Sequence, residues 1–283
     1  MPLQTLNIVG AGRVGCTLAK LWNTQGTLRV QAVCNTTLAS AQDACAFIGA
    51  GSAYPELSTM PDADAWMIAV PDAYIAQTAQ RMADLRGTAS AAFHCSGAQS
   101  AASLLPLQQA GWTTASAHCI LSFATREIAV AQFGGTPYAL EGDAALVAQL
   151  HPLFSAIGAQ CFEVASADKV LYHAAAVFAT NFMPVLQGLA EDAWRTTGMP
   201  AHLVQELRAR LLANAVNNIT KLSPAGALTG PAARGDTAAI ERQAAVVTNW
   251  DPQAGAAYQA LSDLALRMAK ASKEAAAAAA TSR

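Results

Sequence analysis

Hydrophobic positions near the N-terminus change their spacing twice within about thirty residues. A short apolar run at 6–9 leads into a glycine-rich turn, and apolar residues then recur at Val14, Leu18 and Leu21. The first pattern is typical of a buried strand, and the second of a helix with one apolar face. A second apolar run follows at 28–34. Together these segments predict a strand, a helix and a strand, which form a βαβ unit.

The alternation of strand and helix patterns continues to residue 164. Short apolar runs predict further strands at 65–70, 91–95, 113–118, 138–141 and 160–164. Helical patterns lie between them at 39–48, 73–85, 100–110 and 143–157. We expect Asp72 to cap the helix that follows Pro71. The fold class predicted is α/β, with a Rossmann-type, doubly wound and mostly parallel sheet.

Only helical patterns follow residue 165. A long helix is predicted over 166–196, capped by Ser166 or Asp168 and kinked at Pro184. Further helices are predicted at 201–222, 237–248 and 254–272, with a break after Leu222, a loop at 228–236 and a frayed tail from 275. We therefore predict a dinucleotide-binding domain over 1–165 and an all-α domain for substrate binding and dimerisation over 166–283.

The glycine turn fits the G-x-G-x-x-G pattern of dinucleotide-binding folds. Gly10 permits the tight turn, Gly12 lets a pyrophosphate approach the backbone, and Gly15 lets the helix pack closely on the strand. The pyrophosphate is expected at the N-terminus of the helix, where unpaired N–H groups favour an anion. The residues predicted to bind the cofactor here are Gly10, Ala11, Gly12, Arg13, Val14 and Gly15.

The second strand is followed by Asn35, Thr36 and Thr37, where NAD-binding folds place a carboxylate that holds the ribose 2′-OH. No carboxylate here would repel a 2′-phosphate, hydroxyls are present to bond it, and Arg13 adds positive charge. The sequence therefore favours NADP over NAD, with Asn35, Thr36 and Thr37 predicted to bind the cofactor. Alternatively, these three residues form a turn in which Thr37 or Ser40 caps the next helix.

The chain has 283 residues, of which 53% are hydrophobic and 13% charged, and a net charge of −2. This composition indicates a globular protein and argues against nucleic acid or a membrane surface as a partner. The six cysteines are scattered, without the spacing of a metal site. We expect a cytoplasmic protein with reduced thiols and no metal, and a buried helix in the apolar stretch 170–186.

Ligands of open α/β sheets bind beyond the carboxyl ends of the strands. The remaining residues at those ends are Val70, Pro71, Ser96, Gly97 and His118. Val70 and Pro71 are predicted to bind the cofactor, Ser96 to donate a hydrogen bond to cofactor or substrate, and Gly97 and His118 to bind the substrate. Alternatively, Ser96 belongs to a simple turn and His118 has a capping role.

Lys169 and His173 lie four residues apart, so they project from one face of a helix, and Asn181 follows along the same broad face. Unpaired polar groups are unfavourable in an apolar helix, so these side chains either bond one another or face a polar cleft. Lys169 or His173 could act as the general acid of a hydride-transferring enzyme. The alternative is an exposed Lys169 and a His173 that is satisfied in the core.

The loop at 228–236 combines glycine, proline, arginine and aspartate between two helices. Arg234 could bind a substrate carboxylate through two parallel hydrogen bonds, with Thr229 and Asp236 nearby. Alternatively, Asp236 caps the helix that begins at Thr237, or pairs with Arg234.

Several segments together resemble one bacterial family of NADP oxidoreductases, which joins a Rossmann-like domain to a C-terminal helical domain of unassigned function. The segments are the glycine turn, 94–98, 118–123, 138–142, 169–182 and 228–236. The family resembles the β-hydroxyacid dehydrogenases, ketopantoate reductases and pyrroline-5-carboxylate reductases of the 6-phosphogluconate dehydrogenase-like superfamily. The resemblance implies an NAD(P) site at the glycines, a homodimer formed by the helical domain, and an active site in the cleft between the domains.

Lys169 matches the catalytic lysine of the β-hydroxyacid dehydrogenases, but His173 stands where they have asparagine, and Cys119 where the family usually has proline. The main hypothesis is an NADP-dependent oxidoreductase that acts on a small carboxylate-bearing metabolite, either a 2-keto or hydroxy acid (ketopantoate-like, for example) or an imine. In it, Lys169, His173, Asn181 and Ser96 form the catalytic set. The alternative is a non-catalytic NAD(P)-binding sensor or scaffold protein.

Overall fold

The computed structural model describes residues 2–85, 87–121 and 123–281. The chain divides into two compact units, residues 1–179 and 180–283. The first contains the sheet, and the second is helical. The predicted domain boundary near residue 165 stays a prediction. In the part of the chain that the structure describes, no helix combines the length and apolar character needed to cross a membrane.

Within the described residues of the first unit, eight strands form one sheet. They are β1 (Thr5–Val9), β2 (Arg29–Cys34), β3 (Ser52–Tyr54), β4 (Ala65–Ile68), β5 (Ala91–His94), β6 (Thr113–Cys119), β7 (Pro137–Gly142) and β8 (Gln160–Glu163). Their order is β3-β2-β1-β4-β5-β6-β7-β8, and β6 and β7 pair antiparallel whereas the other neighbours pair parallel. The predicted doubly wound, mostly parallel sheet is confirmed.

The α-helices of the first unit are α1 (Arg13–Gln25), α2 (Leu38–Ile48), α3 (Ile75–Leu85), α4 (Leu105–Gln109), α5 (Arg126–Gln132), α6 (Ala144–Ala156) and α7 (Lys169–Ala176). Side chains of Thr37, Thr125 and Asp143 cap α2, α5 and α6. The sequence patterns missed β3 and α5, because three and seven residues are too few to show a period. Asp72 does not cap α3, since it lies in a single 3₁₀ turn before that helix.

Large side chains fill the space between the sheet and the helices. Trp22 of α1 is fully buried, meets Phe93 of β5 and Phe154 of α6 through its ring, and donates from its indole N–H to the Leu153 carbonyl at 2.9 Å. β1, β4 and β5 are buried almost throughout, as is typical of parallel strands covered on both faces. This core holds the carboxyl ends of β1, β2, β4, β5 and β6 at one edge of the sheet.

The predicted long helix from 166 to 196 is interrupted. A 3₁₀ turn at Ser166–Asp168 precedes α7, and a π-helical turn at Val177–Asn181 separates α7 from α8 (Phe182–Thr196). No side-chain cap is made by Asp168, and Ser166 donates its hydroxyl to Glu141 at 2.5 Å, so the predicted cap was wrong. The π turn lies just before Pro184, where an α-helix would lack one backbone hydrogen bond.

The second unit continues from α8 with α9 (Ala201–Ala227), α10 (Gly230–Arg234), α11 (Thr237–Trp250) and α12 (Pro252–Thr281). α9 is broken at Ser223, whose φ of 71° is not helical, so the predicted break after Leu222 is confirmed. The predicted loop at 228–236 contains α10, and the predicted frayed tail is part of α12. Alanine has the highest helix propensity, which explains why the alanine-rich end of the chain is helical.

Candidate active site

The three glycines of the turn after β1 have different surroundings. Gly10 has a φ of +82°, and a Cβ there would lie 2.6 Å from the Val70 side chain. A Cβ on Gly15 would lie 3.3 Å from that of Ala69, so α1 approaches the sheet closely. A Cβ on Gly12 would meet nothing within 4 Å, and no side chain caps α1 there. The backbone at Gly12 therefore faces open space at a helix N-terminus, as pyrophosphate binding requires.

Asn35 holds the glycine turn against the start of α2. Its amide oxygen accepts a hydrogen bond from the Ala11 N–H at 2.6 Å, and its amide nitrogen donates to the Ser40 carbonyl at 3.0 Å. The Gly10 N–H also donates to the Cys34 carbonyl at 2.9 Å. The side chain predicted to contact the cofactor ribose is thus already bonded on both sides.

A cleft of about 1,330 Å³ lies beside the glycine turn, within the first unit. Among its lining residues are most of those predicted to bind the cofactor, namely Gly10, Ala11, Gly12, Arg13, Val14, Asn35, Thr36, Val70 and Pro71. Thr37 instead caps α2 by accepting from the Ser40 N–H at 3.2 Å. Arg13 donates to the Phe123 carbonyl at 3.0 Å. The space and the glycine backbone fit a dinucleotide.

Arg126, the first residue of α5, also lines this cleft, and the sequence patterns did not indicate it. Its guanidinium forms an ion pair with Asp43 of α2 at 2.8 Å, and its Cζ lies 4.6 Å from the centre of the Phe47 ring. The Asp43 carboxylate raises the pKa of Arg126 further. No signal in the sequence pointed to Arg126, because α5 was not predicted.

Ser96 follows β5, and its polar atoms all form hydrogen bonds. The hydroxyl donates to Asp72 at 2.6 Å and accepts from the Gln99 N–H at 3.0 Å. The Ser96 N–H donates to Nδ1 of His94 at 3.1 Å, and that histidine donates from Nε2 to the Ser100 carbonyl at 3.0 Å. Ser96 therefore fixes the turn after β5, and Asp72 bonds this turn instead of capping a helix.

Lys169 is fully buried at the start of α7. Its ammonium donates to the Ser96 carbonyl at 3.1 Å and to the Ser116 hydroxyl. Burial lowers the pKa of Lys169, while the nearby carboxylates of Glu141 and Asp72 oppose that shift. The ammonium thus joins the turn after β5 to the middle of β6, and its predicted role as the general acid stays a prediction.

Two imidazole rings lie against Gly97. A Cβ on Gly97 would lie 2.7 Å from Nε2 of His118 and would overlap Nδ1 of His173, so both rings occupy the space that a side chain would need. Nδ1 of His118 is 3.1 Å from the Tyr172 hydroxyl. Nδ1 of His173 is buried, and no hydrogen-bond partner for it lies within the described residues. Burial and the charge of Lys169 lower the pKa of His118 to about 4.

The predicted site residues of the second unit are exposed. Asn181 accepts a hydrogen bond from the Thr180 hydroxyl at 2.7 Å. Thr229 immediately precedes α10, and Arg234 is the last residue of α10. Asp236 accepts from the Ala239 N–H at 3.0 Å and so caps α11, which was the alternative prediction.

The described residues contain no group of three or more side chains that could hold a metal ion. Burial raises the pKa of the Cys119 thiol to about 12 and that of Cys95 further still. Neither thiol is therefore available as a thiolate near neutral pH.

Two family models match the chain and together cover most of it. One is a Rossmann-like domain over residues 2–119, and the other is the domain of unknown function DUF2520 over residues 136–265. The chain thus joins a Rossmann-like domain to a DUF2520 domain, and the resemblance found in its sequence is confirmed. No curated protein matches the chain.

Solved structures match nearly the whole chain. The protein TM1727 from Thermotoga maritima is 23% identical, with 95% of this chain and 99% of that chain covered and a TM-score of 0.76. BF3122 from Bacteroides fragilis, described provisionally as an NADP oxidoreductase, is 20% identical, with 93% and 98% covered and a TM-score of 0.71. An imine reductase from Myxococcus stipitatus, solved with NADP⁺, is 18% identical, with 96% and 94% covered and a TM-score of 0.60. At these identities, the likeness establishes the fold.

Proposed function

We propose that this protein is an NADP-dependent oxidoreductase that transfers hydride between the nicotinamide and a small carboxylate-bearing metabolite. The observation that carries the proposal is the open backbone at Gly12, together with a second strand that is followed by Asn35 and not by a carboxylate. The names of two structural relatives, an NADP oxidoreductase and an imine reductase with NADP⁺, support the same class. When bound, the nicotinamide would supply or accept the hydride.

The dinucleotide is proposed to lie along the carboxyl ends of the strands, with its pyrophosphate at Gly12. Val70 and Pro71 lie farther along the same cleft, and Cys95, which immediately precedes Ser96, also lines it. These positions support a nicotinamide near the turn after β5. Ser96 and Lys169 would then act by fixing the shape of this turn, because their polar groups already bond protein atoms.

Reduction of a carbonyl or imine adds hydride to carbon and a proton to oxygen or nitrogen. We assign the proton transfer to His173, whose imidazolium form would give a proton to the reacting oxygen or nitrogen and become neutral imidazole, and we assign a supporting hydrogen bond to His118, since both rings lie against Gly97. With its pKa near 4, His118 is neutral at pH 7. In the tautomer whose Nδ1 accepts from the Tyr172 hydroxyl 3.1 Å away, Nε2 of His118 carries the proton and can form a hydrogen bond to the reacting oxygen or nitrogen.

The substrate carboxylate is proposed to bind Arg234, whose guanidinium can form two parallel hydrogen bonds to it. Thr229 lies at the other end of the same short helix, and Asp236 supports the segment by capping α11. Asn181 is proposed to position the substrate. A 2-keto acid or an imine with a carboxylate meets these requirements, and dimerisation through the helical unit stays a prediction.

Turnover with a panel of 2-keto acids and carboxylate-bearing imines would test this function through NADPH oxidation. With a substrate identified, we expect His173→Gln and His118→Gln to lower kcat by about 10²-fold, in the range of general acid–base effects, and to leave the Kd of NADPH unchanged. His202→Gln, on the exposed face of α9, is the matched control. Unchanged kcat in both site variants would contradict the assignment of the proton donor.

A sensor without catalysis is the second candidate. It is favoured by the buried Lys169 and the fully bonded Ser96, since neither offers a free acid in this structure. Tight NADPH binding without oxidation by any member of the panel would support the sensor. Turnover of one member would exclude it.

A further inference from the structure

The residues after β2 leave little for a 2′-phosphate to bind. Asn35 bonds the glycine turn and α2 with both ends of its amide, and Thr37 caps α2. Thr36 remains at the cleft wall. One hydroxyl is a weak ligand for a dianion, so an NADP-specific site requires a cation from elsewhere.

Arg126 is placed to provide that cation. It lines the same cleft as Thr36, its side chain is 27% exposed, and Asp43 and the Phe47 ring hold it in one position. Its hydrogen bonds to Asp43 and to Cys16 both use Nη1. Among the described residues, no hydrogen bond engages Nη2 or Nε, which are two donors suited to phosphate oxygens.

Asp43 gives this position a second function. Its carboxylate is 66% exposed on α2, lines the cleft, and is paired with Arg126 at 2.8 Å. In this ion pair, Arg126 neutralises the charge of the Asp43 carboxylate. Unpaired, that carboxylate would repel a 2′-phosphate and accept a hydrogen bond from a 2′-OH, as the carboxylate of NAD-binding folds does.

Resting on the proposed function, we propose that Arg126 recognises the 2′-phosphate of NADP, and that its ion pair with Asp43 removes a charge that would otherwise favour NAD. Arg126 thus determines cofactor specificity from the segment after β6, where it contacts α2, and not from the turn after β2 that usually carries the determinant. Removal of Arg126 takes away an attraction and exposes a repulsion at the same time.

Calorimetric titration of the full-length protein with NADPH and with NADH measures the two dissociation constants and tests this proposal without any substrate. Arg126→Ala is expected to raise the Kd of NADPH by at least about tenfold and to change that of NADH less than threefold. In Arg126→Ala/Asp43→Asn the repulsion is gone, so the NADPH affinity is expected to recover partly. Thermal unfolding of each variant confirms that it is folded.

Two arginines serve as matched comparisons. Arg81 lines the same cleft on α3, and Arg29 is exposed at the start of β2. We expect Arg81→Ala and Arg29→Ala to leave the ratio of the two dissociation constants unchanged. A loss of NADPH preference in Arg81→Ala but not in Arg126→Ala would overturn the proposal, as would equal losses for both nucleotides in Arg126→Ala. A wild-type protein that binds neither nucleotide would overturn the proposed function as well.

Discussion

The glycine turn after β1 and the turn after β5 contrast in what surrounds them. At the glycine turn the important feature is space, because nothing lies within 4 Å of a Cβ on Gly12. Near the turn after β5 the polar groups bond one another, since Lys169 donates to the Ser96 carbonyl and to the Ser116 hydroxyl. The first region is open to a ligand, whereas in the second the polar groups of Ser96 and Lys169 already bond protein atoms. A serine or lysine near the end of a strand can therefore be of a reactive type and still be unavailable to a ligand, because it already bonds other protein atoms.

The largest expected effect separates two glycines of the same turn. Gly10→Ala should lower the free energy of unfolding by about 3–5 kcal/mol, because the new methyl group overlaps Val70 at a positive φ. Gly12→Ala should change it by less than about 1 kcal/mol, since the methyl group meets open space. Chemical denaturation measures both.

Titration with NADPH shows what the Gly12→Ala change does to cofactor binding. Gly12→Ala is expected to weaken NADPH binding at least about tenfold, because its methyl group fills the approach of the pyrophosphate. If Gly12→Ala is as unstable as Gly10→Ala, then Gly12 is not an open position, and the difference drawn here between the two glycines is wrong. Full NADPH affinity in Gly12→Ala would place the pyrophosphate elsewhere.

A smaller effect is expected on the free energy of unfolding in acid, because of the buried His118 near the turn after β5. The pKa of His118 is about 4 in the folded protein against a reference value of 6.5, so the folded state binds fewer protons between these values. The free energy of unfolding should therefore rise by about 3 kcal/mol as the pH increases from 4 to 6.5. Denaturation across this range measures it.

His118→Gln should make that pH dependence shallower but not remove it. Burial also lowers the pKa of His94, which contributes with the same sign and is retained in the variant. An identical slope in the wild type and in His118→Gln would mean that His118 is not buried as a neutral imidazole.

The smallest effect concerns Thr37. Since its hydroxyl caps α2, Thr37→Ala should lower the free energy of unfolding by about 1 kcal/mol. The ratio of NADPH to NADH affinity should stay the same, with Thr37→Ser as the conservative control. A changed ratio with unchanged stability would restore Thr37 as a cofactor ligand and not a cap.

The sheet was predictable because buried parallel strands are continuous apolar runs, as at Ala65–Ile68. The short strand Ser52–Tyr54 and the helix Arg126–Gln132 were not, since neither is long enough to carry a period. Gly10 and Gly15 behave as their motif predicts because the motif encodes backbone geometry. The bonding of Ser96 and Asp72 depends on residues 24 positions apart, and no local pattern contains that information.

Asn35 has a consequence for how cofactor preference can evolve or be engineered. The usual change toward NAD places an aspartate at this position. Here that change would keep an acceptor for Ala11 but would set a carboxylate oxygen against the Ser40 carbonyl, where an amide now donates at 3.0 Å. Selection for NAD at residue 35 is therefore coupled to the stability of the βαβ unit, and the two traits cannot drift independently there.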